Sequence, residues 1–220
     1  MNRTGQQPLR GKTSPTTQRG HARANEILAA AQAIFVRDGY AGFSVRSVAA
    51  SVGIGLSTLQ HYYPSKDHLL EAMWLFLMDR YQAAIDEVIE AMPEASQLER
   101  FLAAMKMFVK LARDPATARI LVHLAAAALT DPVAARTMQK LQRRERKTIA
   151  ELIRGIAPAI SDAELEARAA LIVAQLQGLV MRNVGSQGAS RAASAILDQS
   201  ALASFQWLAT GGPAIDDTAG

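Results

Sequence analysis

The sequence contains no cysteine in its 220 residues. Disulfides, thiolate zinc sites and cysteine nucleophiles are therefore excluded. The sequence also lacks any stretch of about 18 uninterrupted apolar residues, the length that a membrane-spanning helix needs. Residues 1–20 lack the apolar run of a secretory signal. We expect a cytoplasmic protein that needs no metal and no cofactor.

Hydrophobic residues make up 50% of the chain and charged residues 20%, which is enough to bury a core in one domain or two small ones. The charge is unevenly distributed. Residues 1–70 contain eight basic residues (Lys and Arg) and three acidic ones (Asp and Glu). The rest of the chain contains sixteen basic and seventeen acidic residues. The positive charge thus lies in the N-terminal third, as suits a module that contacts a polyphosphate.

The N-terminal third predicts short helices separated by clear boundaries. Residues 1–20 have no apolar periodicity and predict a flexible arm. Apolar residues recur at helical spacing from Ala24, and Gly39 ends this first helix. Ser44 is placed to cap a second helix, and Gly53 and Gly55 bracket the tight turn that follows it. A third helix is predicted over 56–62.

The remainder predicts further helices and no strand, so the fold class is all-α. Pro64 and Ser65 precede a long helix that should reach about Met92. Four more helix starts follow the capping rules, at Ser96, Asp114-Pro115, Asp131-Pro132 and Ser161. A last helix is predicted over 190–209. The run Arg143–Lys147 is most simply a solvated helix face, and a second nucleic-acid contact is the alternative.

The two short helices around the glycine turn fit a helix-turn-helix, whose second helix lies in the DNA major groove. In that helix Leu59 and Tyr63 should face inward. Gln60 is suited to pair with an adenine edge, whereas Thr58, His61 and Tyr62 suit phosphates or thymine methyls. Periodicity alone leaves open a plain surface helix in an all-α protein.

A family resemblance separates these two interpretations. It is carried by Ile27-Leu28-Ala29-Ala30-Ala31, Phe35, Gly39-Tyr40, Ser44-Val45-Arg46, Ala49, Val52-Gly53-Ile54, Thr58-Leu59, His61-Tyr62-Tyr63-Pro64-Ser65-Lys66-Asp67 and Leu69-Leu70. This segment, about the first third of the chain, closely resembles the N-terminal domain of TetR-family regulators.

The resemblance implies an all-α homodimer with one DNA-binding domain per subunit and a C-terminal domain that binds a small effector and dimerises. The residues it implies at the DNA are Ser44, Val45, Arg46, Leu56, Ser57, Thr58, Gln60, His61, Tyr62 and Lys66. Two positions depart from the family. Gly55 stands where Ser is frequent, and Gln60 stands where Tyr is commonest, so the operator sequence does not carry over.

Effector contacts are predicted from two kinds of side chain in the C-terminal part. Soft and aromatic residues suit an apolar pocket, and polar residues within apolar helices must find a partner. The candidates are Trp74, Met78, Tyr81, Phe108, His123, Gln175 and Met181. Core packing is the alternative explanation for the apolar ones, and exposure or an internal hydrogen bond for the polar ones.

These observations divide the chain into a basic arm (1–20), a helix-turn-helix domain (21–66), an effector-binding and dimerisation domain (67–210) and a tail (211–220). The expected function is a homodimeric repressor that a small, largely apolar molecule releases from a palindromic DNA operator. A helical interaction or ligand-binding protein without DNA activity is the alternative. We do not expect an enzyme, because no phosphate-binding glycine loop, metal-ligand pair or activated nucleophile is evident.

Overall fold

The fold was examined in a computed structural model that describes residues 18–157, 160–184 and 191–211. Within these residues every regular element is a helix and none is a strand, which confirms the predicted fold class. The helices are α1 (Gln18–Gly42), α2 (Val45–Val52), α3 (Leu56–Tyr62), α4 (Lys66–Glu90), α5 (Gln97–Leu111), α6 (Pro115–Ala128), α7 (Pro132–Ile153), α8 (Asp162–Arg182) and α9 (Arg191–Thr210). In the described part of the chain, no helix is long and apolar enough to cross a membrane.

Helix α1 differs from the prediction at its start. It is already helical at Gln18, the first described residue, rather than from Ala24, and Gly39 interrupts it before a short further helical segment that reaches Gly42. Gly39 has φ +68° and ψ −170°, a conformation that is almost restricted to glycine. Gly39 therefore interrupts the regular helix at the position where the sequence predicts its end. Residues 1–17 of the predicted arm and 212–220 of the predicted tail lie outside the described residues.

The capping predictions for the later helices are largely confirmed. Ser96 and Glu99 form a complete capping box at the start of α5. The Asp114 carboxylate accepts from the N–H groups of Ala116 and Thr117, and Asp131 caps α7 in the same way. At Ser161 the hydroxyl accepts from the Glu164 N–H, but the reciprocal bond of a capping box is missing.

The chain separates into two compact units. Unit 1 comprises Met1–Tyr81 and His123–Thr137, and unit 2 comprises Gln82–Val122 and Met138–Gly220. Helices α4, α6 and α7 contribute residues to both. The sequence-based division at residue 66 remains a prediction.

Each unit has its own buried residues. In unit 1, apolar side chains of α1 to α4 are fully buried, among them Ile27, Phe35, Phe43, Leu59 and Leu70. In unit 2, one apolar cluster joins α5, α7, α8 and α9, and its largest members are Phe101, Met105, Ile149, Ile172 and Phe205. Burial of this kind contributes about 25 cal/mol per Å² of apolar surface. The packing of unit 1 therefore holds the three short helices in place.

Candidate nucleic-acid interface

Helix α2 begins at a complete capping box. The Ser44 hydroxyl accepts from the Ser47 N–H at 3.0 Å, and the Ser47 hydroxyl accepts from the Ser44 N–H at 3.1 Å. Two backbone donors of the first turn are thereby satisfied, which confirms Ser44 as the cap. Val45 follows half-buried, and Arg46 is exposed. The first turn of α2 thus presents one cation to solvent.

The turn between α2 and α3 depends on one of its two glycines. Gly53 has φ +71° and ψ +32°, the left-handed conformation, and its N–H reaches the carbonyls of Ala49 and Ala50. Gly55 has φ −64° and ψ +147°, which any residue adopts, and it supplies no side-chain cap to α3. The tight turn therefore requires glycine at 53 but not at 55.

Helix α3 has one buried side and one polar side. Leu59 is fully buried and Tyr63 is 4% exposed, as predicted for inward residues. The exposed residues are Leu56, Ser57, Thr58, Gln60 and His61, and Tyr62 is half-buried. The rings of His61 and Tyr62 meet edge to face with centroids 6.0 Å apart. Short polar and aromatic side chains therefore cover the outer surface of this helix.

Lys66, a predicted phosphate contact, is engaged inside unit 1. Its ammonium donates to the Tyr40 carbonyl at 2.9 Å and lies 3.8 Å above the centre of the Tyr40 ring. Burial lowers the pKa of Lys66, while Asp131 and Asp67 act in the opposite direction. Lys66 therefore ties the start of α4 to the end of α1.

Asp131 also joins this cluster, which no pattern in the sequence indicates. Its carboxylate caps α7 and also accepts from the Tyr40 phenol. Burial and this hydrogen bond raise the pKa of Tyr40 to about 12. The pKa of Asp131 is lowered, first by the Ala134 N–H and then by Tyr40. Tyr40, Lys66 and Asp131 thus link α1, α4 and the start of α7 within unit 1.

His123, a predicted effector contact, packs against α1 in unit 1. Its ring meets Phe35 edge to face, with centroids 6.1 Å apart. It also lies against the bare Cα of Gly39, where an added Cβ would come within 2.9 Å of the imidazole Nδ1. The kink at Gly39 therefore makes room for this ring.

The other predicted effector residues are divided between the units. In unit 1, Trp74 is buried, and Met78 and Tyr81 are half-buried. Among the described residues, the Trp74 indole N–H and the Tyr63 hydroxyl are buried without a hydrogen-bond partner.

In unit 2, Phe108 is half-buried against the apolar cluster. Gln175 is exposed and accepts from the Ser204 hydroxyl at 3.1 Å, and Met181 is 49% exposed. None of these three residues lines the cleft in this unit that Val109, Leu179 and Asn183 border.

The run Arg143–Lys147 is not wholly a solvated face. Arg143 and Lys147 are exposed as expected, but Glu145 is partly buried and accepts from the Gln177 amide. Because this contact joins α7 to α8, a charge pattern on α7 alone does not reveal it. The prediction was therefore wrong for Glu145.

Two family models match the chain. The model of bacterial regulatory proteins of the tetR family matches residues 27–73. The model of the C-terminal part of BetI-type transcriptional repressors matches residues 94–204. Among curated proteins, the HTH-type transcriptional regulator EthR of Mycolicibacterium smegmatis is 32% identical over 100 residues, which are 46% of each chain. The matched stretch thus spans about half the length of that relative.

Solved structures agree over most of the chain. A transcriptional regulator from Rhodococcus sp. Rha1 is 25% identical with a TM-score of 0.61, and the alignment covers 84% of this chain and 93% of that one. The fatty acid degradation regulator FadR of Bacillus halodurans is 19% identical with a TM-score of 0.65, and the alignment covers 91% and 98%. The second likeness concerns the fold alone.

The two family models cover consecutive parts of the chain, and the first ends on α4, just beyond the short helices described above. The second spans half of the sequence by itself. The chain belongs to the TetR family of bacterial transcriptional regulators.

Proposed function

We propose that the protein is a homodimeric repressor that binds a palindromic DNA operator through α3 and is released by a small, largely apolar effector. The observation that carries this proposal is the two-sided character of α3. Leu59 and Tyr63 are buried beneath it, and the exposed polar residues lie above. Its dimensions suit the major groove. The family model of a transcriptional repressor supports repression rather than activation.

The proposed DNA contacts divide by chemistry. Gln60 is suited to a bidentate pair with adenine, and Arg46 to a phosphate or a guanine edge. Lys66 would reach a phosphate only by giving up its bond to the Tyr40 carbonyl. The remaining proposed contacts are Ser44, Val45, Leu56, Ser57, Thr58, His61 and Tyr62. We expect the protein to be located in the cytoplasm, which is where its proposed DNA operator lies.

The dimer proposal is supported by apolar residues left exposed on the last two helices. Leu171 and Met181 on α8 and Ile196 and Trp207 on α9 are between 48% and 66% exposed. Large exposed apolar side chains that cluster on neighbouring elements mark interaction surfaces. A dimer would also place two recognition helices on half-sites about 34–36 Å apart.

The effector proposal is supported in unit 1 by Trp74. A buried donor without an acceptor is uncommon, because its lost hydration costs about 1–3 kcal/mol. The indole N–H has no acceptor among the described residues. An effector with one acceptor atom on an apolar body would satisfy it. Met78, Tyr81, Phe108, His123, Gln175 and Met181 stay proposed contacts of lower rank.

DNA binding is tested by footprinting and gel shift on the DNA flanking the protein's own gene, with a salt series. We expect saturable protection of a palindrome, with an affinity that falls steeply as salt rises. The triple variant Arg46→Ala, Thr58→Ala, Gln60→Ala should bind at least about 100-fold more weakly, since each lost base contact costs about 1–3 kcal/mol.

The control is Arg119→Ala, which removes an equally exposed charge from α6. It should leave operator affinity unchanged. A folded dimer that binds no palindrome in a salt-sensitive way would identify the protein as a helical module without DNA activity. Effectors are then sought as compounds that raise the melting temperature and release the operator.

A further inference from the structure

Glu145 is an acidic residue turned inward from a basic helix. Its neighbours Arg143 and Lys147 are exposed on α7, whereas its own carboxylate is partly buried and accepts from the Gln177 Nε2 on α8 at 2.9 Å. Among the described residues this amide is its one hydrogen-bond partner. Buried carboxylates normally have a cation or several donors, because desolvation of the charge is expensive. Glu145 therefore lacks the partner that its charged form needs.

The electrostatics around Glu145 agree with the hydrogen bonding. Burial raises the pKa of Glu145 to about 7, and the Gln177 amide opposes that rise only in part. No charged side chain contributes to the shift, although Arg144 and Arg146 adjoin Glu145 in sequence. Near neutral pH the carboxyl group is consequently divided between its two protonation states.

In the described part of the chain, no cation forms an ion pair with Glu145. On α8 the nearest charged residues are Arg168, which pairs with Glu164, and Arg182, more than one helical turn beyond Gln177. On the α4 side, Thr148 donates to Gln82 at 3.3 Å, and the Gln82 amide donates to Asp86 at 2.9 Å. Asp86 is thus bonded to Gln82, and Asp79, the other acid next to Gln82 in the sequence of α4, lies three residues before it.

Two oxygen acceptors remain available where α7 and α8 meet. One is the second oxygen of Glu145, and the other is the amide oxygen of Gln177, which accepts from no described residue. Buried apolar residues lie one turn away on each helix, Ile149 on α7 and Val173 on α8. A carboxylate oxygen and an amide oxygen close to buried apolar residues fit a head group that carries both a positive charge and N–H donors.

We propose that Glu145 and Gln177 bind the primary ammonium or amidinium head group of an otherwise apolar small molecule. This rests on the proposed function, because it specifies the head group of an effector that binds within unit 2. A quaternary ammonium would fit less well, since it has no N–H to donate. The bound cation would supply the partner that Glu145 lacks, and the Gln177 amide would keep the carboxylate oriented.

The proposal predicts a link between binding and protonation. Only ionised Glu145 attracts the cation, while an alkylammonium stays charged throughout this range because its pKa is about 10. Affinity should therefore rise up to tenfold per pH unit below pH 7 and level off above it. Below the midpoint, binding should release close to one proton.

Isothermal titration calorimetry of the full-length protein tests this with n-octylammonium as probe and n-octanol as its neutral counterpart. Titrations at pH 6, 7 and 8 in buffers of different ionisation heat report both affinity and proton release. We expect the ammonium to bind more tightly than the alcohol by at least about tenfold at pH 8, with the pH dependence described above.

Two variants test whether Glu145 is responsible for the binding of the ammonium probe. Glu145→Gln keeps the shape and should lose at least about tenfold in ammonium affinity together with the pH dependence, while its octanol binding stays unchanged. The control Glu166→Gln removes an exposed carboxylate from α8 and should behave as wild type. Equal binding of the two probes, or an unchanged Glu145→Gln variant, would overturn the proposal, as would a folded protein that binds no ammonium at pH 8.

Gel shifts with and without the probe separate the two proposals. A protein that binds its operator but not the ammonium retains the proposed function and refutes the Glu145 site. A protein that binds the ammonium through Glu145 but no operator supports the site and refutes the repressor.

Discussion

The kink at Gly39 gives the most exacting test of unit 1, because one substitution there has two separable costs. Gly39→Ala places a side chain on a residue with φ +68° and ψ −170°. Non-glycine residues in that region cost about 1–3 kcal/mol. The new Cβ would also meet His123 at 2.9 Å from Nδ1 and 3.0 Å from Cε1, closer than van der Waals contact allows. Overpacking of this kind adds about 1–3 kcal/mol.

Together these two contributions predict that Gly39→Ala lowers the free energy of unfolding by about 2–6 kcal/mol. Gly53→Ala is the matched control, because Gly53 also has a positive φ, +71°, but an added Cβ there meets nothing within 4 Å. It should cost only the left-handed penalty of about 1–2 kcal/mol. The difference between the variants isolates what is special to Gly39.

A double-mutant cycle with His123→Ala then separates the clash from the backbone strain. His123→Ala alone should cost about 1 kcal/mol through the lost edge contact with Phe35. In the double variant the clash is absent, so the combined loss should be at least about 1 kcal/mol smaller than the sum of the single losses. Urea unfolding at one fixed protein concentration measures all four proteins. Strictly additive losses would refute the contact between His123 and Gly39.

Three further predictions concern other parts of the chain. Ser44→Ala removes the cap of α2 and should lower stability by about 1 kcal/mol, seen as a lower urea midpoint; an unchanged midpoint would contradict the capping box. Leu59→Ala should cost about 2–5 kcal/mol, because the side chain is fully buried, whereas Gln60→Ala should stay within about 0.5 kcal/mol and affect only DNA binding. Burial raises the pKa of Glu145 to about 7, whereas its pKa in the unfolded chain is about 4. The folded protein therefore has its full free energy of unfolding below about pH 4 and loses part of it as the pH rises through about 7. Because Glu145→Gln is always neutral, its free energy of unfolding should rise relative to that of the wild type by up to about 3 kcal/mol between pH 4.5 and 8. A difference between the two proteins that does not vary with pH would argue against the burial of Glu145.

The helix-turn-helix was predictable because its boundaries are encoded locally. Each boundary signal acts within about one turn of the chain. Ser44 caps the N–H group three residues later, Gly53 adopts the left-handed conformation of the turn, and Pro64 follows the seven residues of α3. The bounds of α3 agree with the prediction at both ends. The start of α1 was missed because the apolar periodicity that was used to place this helix begins only at Ala24, six residues after Gln18.

The contacts that the sequence did not reveal join residues far apart in the chain. Tyr40 meets Asp131, Gly39 meets His123, and Glu145 meets Gln177. A helical pattern gives the face on which a residue lies but not the helix that covers this face. Glu145 shows this most clearly, since the basic residues on either side of it predicted exposure. Partners of this kind follow only from the fold.

The buried residues at α3 explain how this regulator can depart from its family at a position that we propose to face DNA. Leu59 within the helix and Tyr63 at its C-cap are four residues apart, and their burial fixes the helix against the rest of unit 1. Gln60 lies between them in sequence but points to the exposed side, so the core places no demand on its size or polarity. If Gln60 contacts DNA as we propose, stability and recognition are carried by different residues around the same helix. A change at position 60 would then alter the preferred operator without weakening the fold that presents it.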